Sequence, residues 1–221
     1  MESQAAESYP TSEGPAVIDA LVGTIRENAG LLSEIDGATG DGDHGVNMAK
    51  GFSLCAERLA GSQYDLATGL TSLGTVLLNE IGGAMGPLYG TFFREMAKPA
   101  MGKDRVDGRL FQAMIYQGTE VVAALGGAHP GDKTLLDVLA PARDALTAAL
   151  DREDSFSDAL LAMAEAAKRG KEATRNMVAR MGRASRLGER SRGVLDAGAA
   201  SCALILCCLA STLRRGLAPK E

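Results

Sequence analysis

Three aspartates and four glycines share ten residues in the stretch Asp36-Gly37-Ala38-Thr39-Gly40-Asp41-Gly42-Asp43-His44-Gly45. Ionised carboxylates at close range repel one another, and glycine adds chain entropy that folding must overcome. A divalent cation offsets both costs. An Asp-x-Asp pair with a third Asp five residues upstream offers the hard oxygen ligands that Mg²⁺ prefers, and it leaves coordination positions for water and phosphate. The plain alternative is a solvated Asp/Gly turn. A calcium loop of the EF-hand type is excluded. Counted from Asp41, the fifth, sixth and twelfth positions are Gly45, Val46 and Phe52, where that loop needs an oxygen ligand, Gly and Glu.

Three more clusters carry chemistry. Gly82-Gly83-Ala84-Met85-Gly86 precedes a helix start, where free N–H groups and the helix dipole attract anions. Beside an Mg²⁺-type loop it reads as a phosphate cradle. Gly182 to Arg192 holds four arginines, whose forks suit phosphate oxygens, and Arg183 is the one chosen for ligand contact. Gly131-Asp132-Lys133-Thr134 resembles the end of a P-loop, but Asp132 interrupts the Gly-Lys order and no strand precedes it. Capping of the following helix is its simpler role. The only two histidines, His44 and His129, both fall in these glycine-rich segments.

The elements that position these clusters read as helices throughout. The 221 residues are 46% apolar but only 4% aromatic with no Trp, which favours closely packed helices over sheets. Apolar spacing predicts helices over about 15–34, 45–60, 65–81, 87–100, 108–125, 132–150, 155–181 and 196–213, with Asp65, Ser155 and Asp196 as N-caps. No run of strand alternation stands out. Eight helices on short loops alternate up and down, so the loops after the first, third, fifth and seventh share one end. Those loops hold 15 of the 27 glycines. One end is therefore a backbone-lined binding site, and the metal reading is preferred over the turn.

Composition limits the partners. A net charge of −5 gives no electrostatic footprint for nucleic acid or anionic membranes. The polar residues 1–14 lack the apolar core of a signal peptide and read as a disordered tail, with 216–221 as a C-terminal tail and cytoplasmic residence as the default. Residues 197–213 carry no charge, yet the Ala/Gly/Ser/Cys mixture is short and weakly apolar for a membrane span and reads as a core helix. Cys55, Cys202, Cys207 and Cys208 show no C-x-x-C spacing and read as reduced, buried thiols.

Taken in order, Asp36…Asp41-Gly42-Asp43-His44-Gly45-Val46-Asn47, Gly82 to Phe93, Pro130 to Thr134, Gly182 to Ser191 and Asp196-Ala197-Gly198 resemble the nucleotide-binding L subunit of dihydroxyacetone kinase, over about residues 15–213. The resemblance implies an all-α, eight-helix antiparallel up-and-down barrel over 15–215 with ATP or ADP held at one end through Mg²⁺. It implies Asp36, Asp41 and Asp43 as metal ligands, and His44, Gly45, Val46, Asn47, Gly83, Ala84, Met85, Gly126, Leu135, Arg183, Asp196, Ala197 and Gly198 around the nucleotide. Met85 stands where the family commonly has Ser, and Ala197 where it commonly has Pro. The implied activity is phosphoryl transfer to a short ketose held on a separate K subunit that supplies the substrate histidine, with a phosphocarrier M subunit as a further partner. Other readings are a nucleotide-binding regulatory or adaptor protein, and the ATP-binding domain of a fatty-acid-kinase-like system, which would bring further domains.

Overall fold

The computed structural model describes residues 7–219. Nine α-helices lie among them: α1 Gly14–Glu27, α2 Ala29–Gly37, α3 His44–Leu59, α4 Leu66–Glu80, α5 Met85–Ala97, α6 Gly108–Gly126, α7 Leu136–Asp151, α8 Phe156–Ala173 and α9 Ala197–Arg215. Each packs on the next, and α9 returns to α1 and α2, so the ring closes into a barrel of eight staves. The first stave is α1 and α2 together. The expected single helix over 15–34 breaks at Asn28, whose side-chain amide donates to the Thr24 carbonyl and whose backbone leaves helical geometry at φ −102, ψ 6.

The core is filled by the inward stripe of every stave, including Leu21, Phe52, Leu73, Phe93, Phe111 and Leu206, all fully buried. Phe52, Phe92 and Phe93 meet edge to face. Where α4 and α5 cross, a Cβ on Gly74 would stand 2.5 Å from the Gly90 carbonyl oxygen, so glycine sets that close approach. Helix α9 is long and apolar enough to cross a membrane, but 72% of that window is buried inside the barrel, as a core helix would be.

The helices begin in two ways. At one end α4, α6 and α8 start on side-chain caps: Asp65 accepts from Thr68 N–H, Asp107 from Leu110 N–H and Ser155 from Asp158 N–H. At the opposite end α9 starts on the Asp196 cap, but α3 and α5 start with no side-chain cap. A helix leaves its first N–H groups unpaired unless something supplies acceptors. The uncapped starts face the loops that carry the candidate site.

Two further differences from the sequence expectation concern the end where α4, α6 and α8 begin, and the end of α8. Glu7–Pro10, within the segment expected to be a disordered tail, form strand β1, flanked antiparallel by β2 (Arg105–Asp107) and β3 (Ala218–Pro219). The pairing is non-local and so leaves no alternation to read. Tyr9 anchors it, 1% exposed, with its hydroxyl on the Glu13 carbonyl, and Arg105 donates to the Ser8 hydroxyl at 2.6 Å. Residues 1–6, 220 and 221 of the two expected tails lie outside the described residues. Finally, α8 ends at Ala173 rather than near 181: Thr174 Oγ1 bonds the Lys171 carbonyl, a 3-10 turn follows, and Met177 is extended at ψ 155.

Candidate functional site

Loop parity brings all four glycine-rich loops to one end, where they line a cavity of about 750 Å³. Asp36, in the last turn of α2, and Asp41 and Asp43, in the turn to α3, each offer an oxygen, and these oxygens lie within 4.8 Å of one another. Glycines make the turn possible. Gly42 sits at φ +76, and a Cβ on Gly40 would stand 2.8 Å from Asp36 Oδ1. Gly40 N–H donates to the Asp36 carbonyl at 2.6 Å, which closes the loop.

This cluster fits a hard divalent cation on its own chemistry. Asp36 Oδ2 is buried without a protein hydrogen-bond partner, an acceptor that a bound cation would satisfy. Desolvation and the neighbouring Asp41 push the Asp43 carboxyl up, the sign of like charges crowded together. Arg183 supplies the positive charge by ion-pairing with Asp41. It reaches there from the 3-10 segment Arg183–Ser191, just after Gly182 at φ +69.

The glycine loop offers the second half of a site. Gly83 takes φ +72, and a Cβ at Gly82 or Gly83 would meet no protein atom within 4 Å, so open space lies where an anion would approach the backbone. Ala84 and Met85 lead directly into uncapped α5. Leu88, Val122, Leu135 and Leu136 give the cavity an apolar wall suited to a flat ring, with Gly126 and Ala128 beside them. Asp196 caps α9 through Ala199 N–H at 2.7 Å. Desolvation raises its carboxyl to about 6, against the Ala199 N–H and the charge of Lys133.

Not every expected residue lines the cavity. Asn47, Gly83, Ala84, Met85, Gly126, Leu135, Arg183, Asp196, Ala197 and Gly198 do, as do Asp36, Asp43 and His44. Asp41 stands at the rim with Arg183. Val46 points out, 65% exposed, and Gly45 serves packing: a Cβ there would fall 1.8 Å from the Ala29 carbonyl oxygen, so α3 lies directly on the start of α2. His129 is exposed and outside the lining.

A polar network lies beneath the floor. His44 Nε2 meets Ser201 Oγ at 2.9 Å, and the Tyr89 hydroxyl lies 2.7 Å from Ser201 Oγ and donates to the Gly198 carbonyl at 3.0 Å. It ties together the starts of α3, α5 and α9. Burial lowers the His44 imidazole to about 4, so it is neutral at pH 7. Ser201 escaped sequence reasoning because it sits in an Ala/Cys/Ser run with no motif around it. Lys133 was visible in its motif, but nothing there signalled that it is only 2% exposed.

Comparison with known proteins identifies the family. A family model described as DAK2 domain matches residues 38–211. The chain is 40% identical over 182 residues, 82% of it and 86% of the other, to the ADP-binding subunit DhaL of PEP-dependent dihydroxyacetone kinase 1 from Listeria innocua. It is 40% identical over 171 residues, 77% and 81% of the two chains, to the corresponding Escherichia coli subunit. It also matches an L-erythrulose 1-kinase of Mycolicibacterium smegmatis, 33% identical over 90% of this chain but 35% of that one. The fold matches a crystal structure of the dihydroxyacetone kinase of C. freundii with a TM-score of 0.68 at 24% identity, over 96% of this chain and 36% of that one. A barrel matched over most of its length, carrying the motifs in their expected order, places this chain in the DAK2 domain family.

Proposed function

We propose that the cavity binds ADP or ATP with Mg²⁺ and that the chain is the nucleotide-binding subunit of a dihydroxyacetone-type kinase. The observation that carries this reading is the shared end itself: three convergent carboxylates, one with an orphaned oxygen, open onto a glycine loop and two uncapped helix starts. Relatives 40% identical over most of their length are ADP-binding subunits of PEP-dependent dihydroxyacetone kinases. One structure of the C. freundii kinase was solved with AMP-PNP and Mg²⁺.

Asp36, Asp41 and Asp43 would hold the metal, which when bound neutralises and orients phosphate oxygens. Backbone N–H groups at the starts of α3 and α5 donate to phosphate, and Arg183 adds a positive charge beside them. Leu88, Val122 and Leu135 exclude water from the base. Met85 brings no hydroxyl donor, so the grip at that position falls to the backbone. Phosphoryl transfer asks little else of a protein than position and fixed charge.

Capture of the ketose belongs to a separate substrate-binding subunit of the K type. His44 is buried and engaged with Ser201, and His129 lies outside the cavity lining. The test has two parts. Asp43→Asn should abolish Mg²⁺-dependent ADP binding in calorimetry while helical content by circular dichroism stays unchanged; wild-type affinity in that variant removes the metal assignment. The chain alone should phosphorylate no short ketose and should turn over once the sugar-binding subunit is added with ATP or a PEP-fed phosphocarrier. Turnover by the chain alone at about 1 to 100 per second, the ordinary kinase range, would overturn the reading.

A further inference from the structure

Lys133 lines the nucleotide cavity, yet its ammonium faces away from any phosphate role. Its three protons go to three backbone carbonyls: Met177 O at 3.3 Å, Val194 O at 2.8 Å, and Ser191 O. An ammonium has three donors and no acceptor, so none is left for a ligand. The residue is 2% exposed, no carboxylate pairs with it among the described residues, and desolvation pulls it below the ordinary lysine value. Its backbone takes φ +62, a left-handed conformation that a non-glycine residue keeps only where its surroundings fix it.

The surroundings are the turn between α6 and α7. Asp137 accepts from Gly131 N–H and, at 2.7 Å, from Thr134 N–H, and Asp132 accepts from His129 N–H at 2.8 Å. The three carbonyls that Lys133 grips belong to both ends of one strap, residues 177–194, which leaves α8 and returns to α9. Between them the strap is closed by Ser191, whose hydroxyl accepts from Ala179 N–H at 2.9 Å and donates to Gly188 O at 2.6 Å. Arg180 N–H donates to the Asp132 carbonyl at 3.0 Å. The strap carries Gly182 and Arg183 to the metal cluster, where Arg183 meets Asp41.

We infer that Lys133 is a positioning residue that sets Arg183 over the phosphate end of the cavity by clamping both ends of the strap. The inference rests on the proposed nucleotide site. It gives the Gly131-Asp132-Lys133-Thr134 motif a task in that site without contact to the ligand. Lysine suits the task because one ammonium can bridge three carbonyls that point inward from separate turns, which a neutral side chain cannot do.

The experiment is a double-mutant cycle on the full chain, with Mg·ADP affinity read by calorimetry and amide exchange by mass spectrometry. Lys133→Met should weaken Mg·ADP binding about tenfold or more, the scale on which orienting residues behind a site act. Protection should fall within 178–190 while α3 and α5 keep theirs. In an Arg183→Ala background the same substitution should change affinity less than about twofold, because residues acting through one group are not additive. Equal losses in both backgrounds would mean that Lys133 touches the ligand itself, and loosening of the strap at unchanged affinity would make it a structural residue only; either overturns the inference. Should Lys133→Met not fold, Ser191→Ala loosens the same strap from its far side. It is expected to lower both protection and affinity, and undiminished affinity with a loosened strap overturns the inference as well. Absence of Mg·ADP binding in the wild type would instead defeat the nucleotide reading.

Discussion

Asp196 shows how a single residue can hold a helix and still cost stability. Its side chain caps α9, but desolvation raises its carboxyl to about 6 from the ordinary value near 4. The folded form therefore holds the proton more tightly than the unfolded chain, and stability falls as pH rises from about 4 to about 6 and stays lower above. Asn caps a helix as well as Asp and carries no charge. Asp196→Asn should raise the stability of the ligand-free chain at pH 7 by about 1 to 3 kcal/mol, one pKa unit being worth about 1.4 kcal/mol. The gain should vanish near pH 4, and Mg·ADP binding should weaken. Chemical denaturation at the two pH values checks this, and equal stability at pH 7 would show that the carboxylate is not strained there. A half-buried carboxylate kept at a cost in the wall of a cavity is what a binding site would retain. At this scale the motifs pointed to most residues that line the candidate cavity, because glycine, aspartate and arginine cluster there in the sequence. Lys133 and Ser201 were not legible as parts of the site, since what they do depends on partners 44 to 61 residues away for Lys133 and 157 away for His44 and Ser201.

At the scale of elements, caps and breaks carried most of the information. Asp65, Ser155 and Asp196 announce α4, α8 and α9, and each accepts from the backbone N–H three residues on. The breaks that were missed have no such mark. Asn28 falls on the apolar stripe of the first stave, and Met177 and Met181 continue that of α8 although both lie beyond its end. The two breaks have different partners: a local one for Asn28, whose amide turns back to the Thr24 carbonyl four residues earlier, and a distant one for Met177, whose carbonyl accepts from the Lys133 ammonium. The start of α3 offers a test. Gly45 lies against the Ala29 carbonyl with no room for a methyl group, whereas its neighbour Val46 is exposed. Gly45→Ala should therefore push α3 off α2 and lower stability by about 1 to 3 kcal/mol, the usual cost of overpacking. Because Asp43 lies two residues upstream, Mg·ADP affinity should drop with it. Val46→Ala should leave stability within about 0.5 kcal/mol and affinity unchanged. Thermal melts and calorimetry on the pair decide it, and an undisturbed Gly45→Ala would show that the α2–α3 contact yields.

For the whole molecule, alternation of the staves sorts the chain into one end that carries the candidate site and one that carries the sheet. Eight alternating staves put every second loop at the same end, and more than half of the glycines collect in those loops. What parity could not foretell is that the opposite end is sealed by β1, β2 and β3, a sheet joining residues near 8, 106 and 218. The sheet changes what ligand binding should look like. Mg·ADP should slow amide exchange in 41–47, 82–86 and 183–198, the loops around the cavity, because an ordered ligand holds loops that otherwise open locally. The turns at 61–65 and 151–155 should exchange at the same rate with and without ligand. Residues 105–107 should be slow in both states, since Val106 is buried and its strand is paired with β1. Exchange measured by mass spectrometry over these peptides separates the outcomes. Ligand-dependent slowing at 61–65 or 151–155 would place the nucleotide at the sheet end, and the parity on which the site is built would fail.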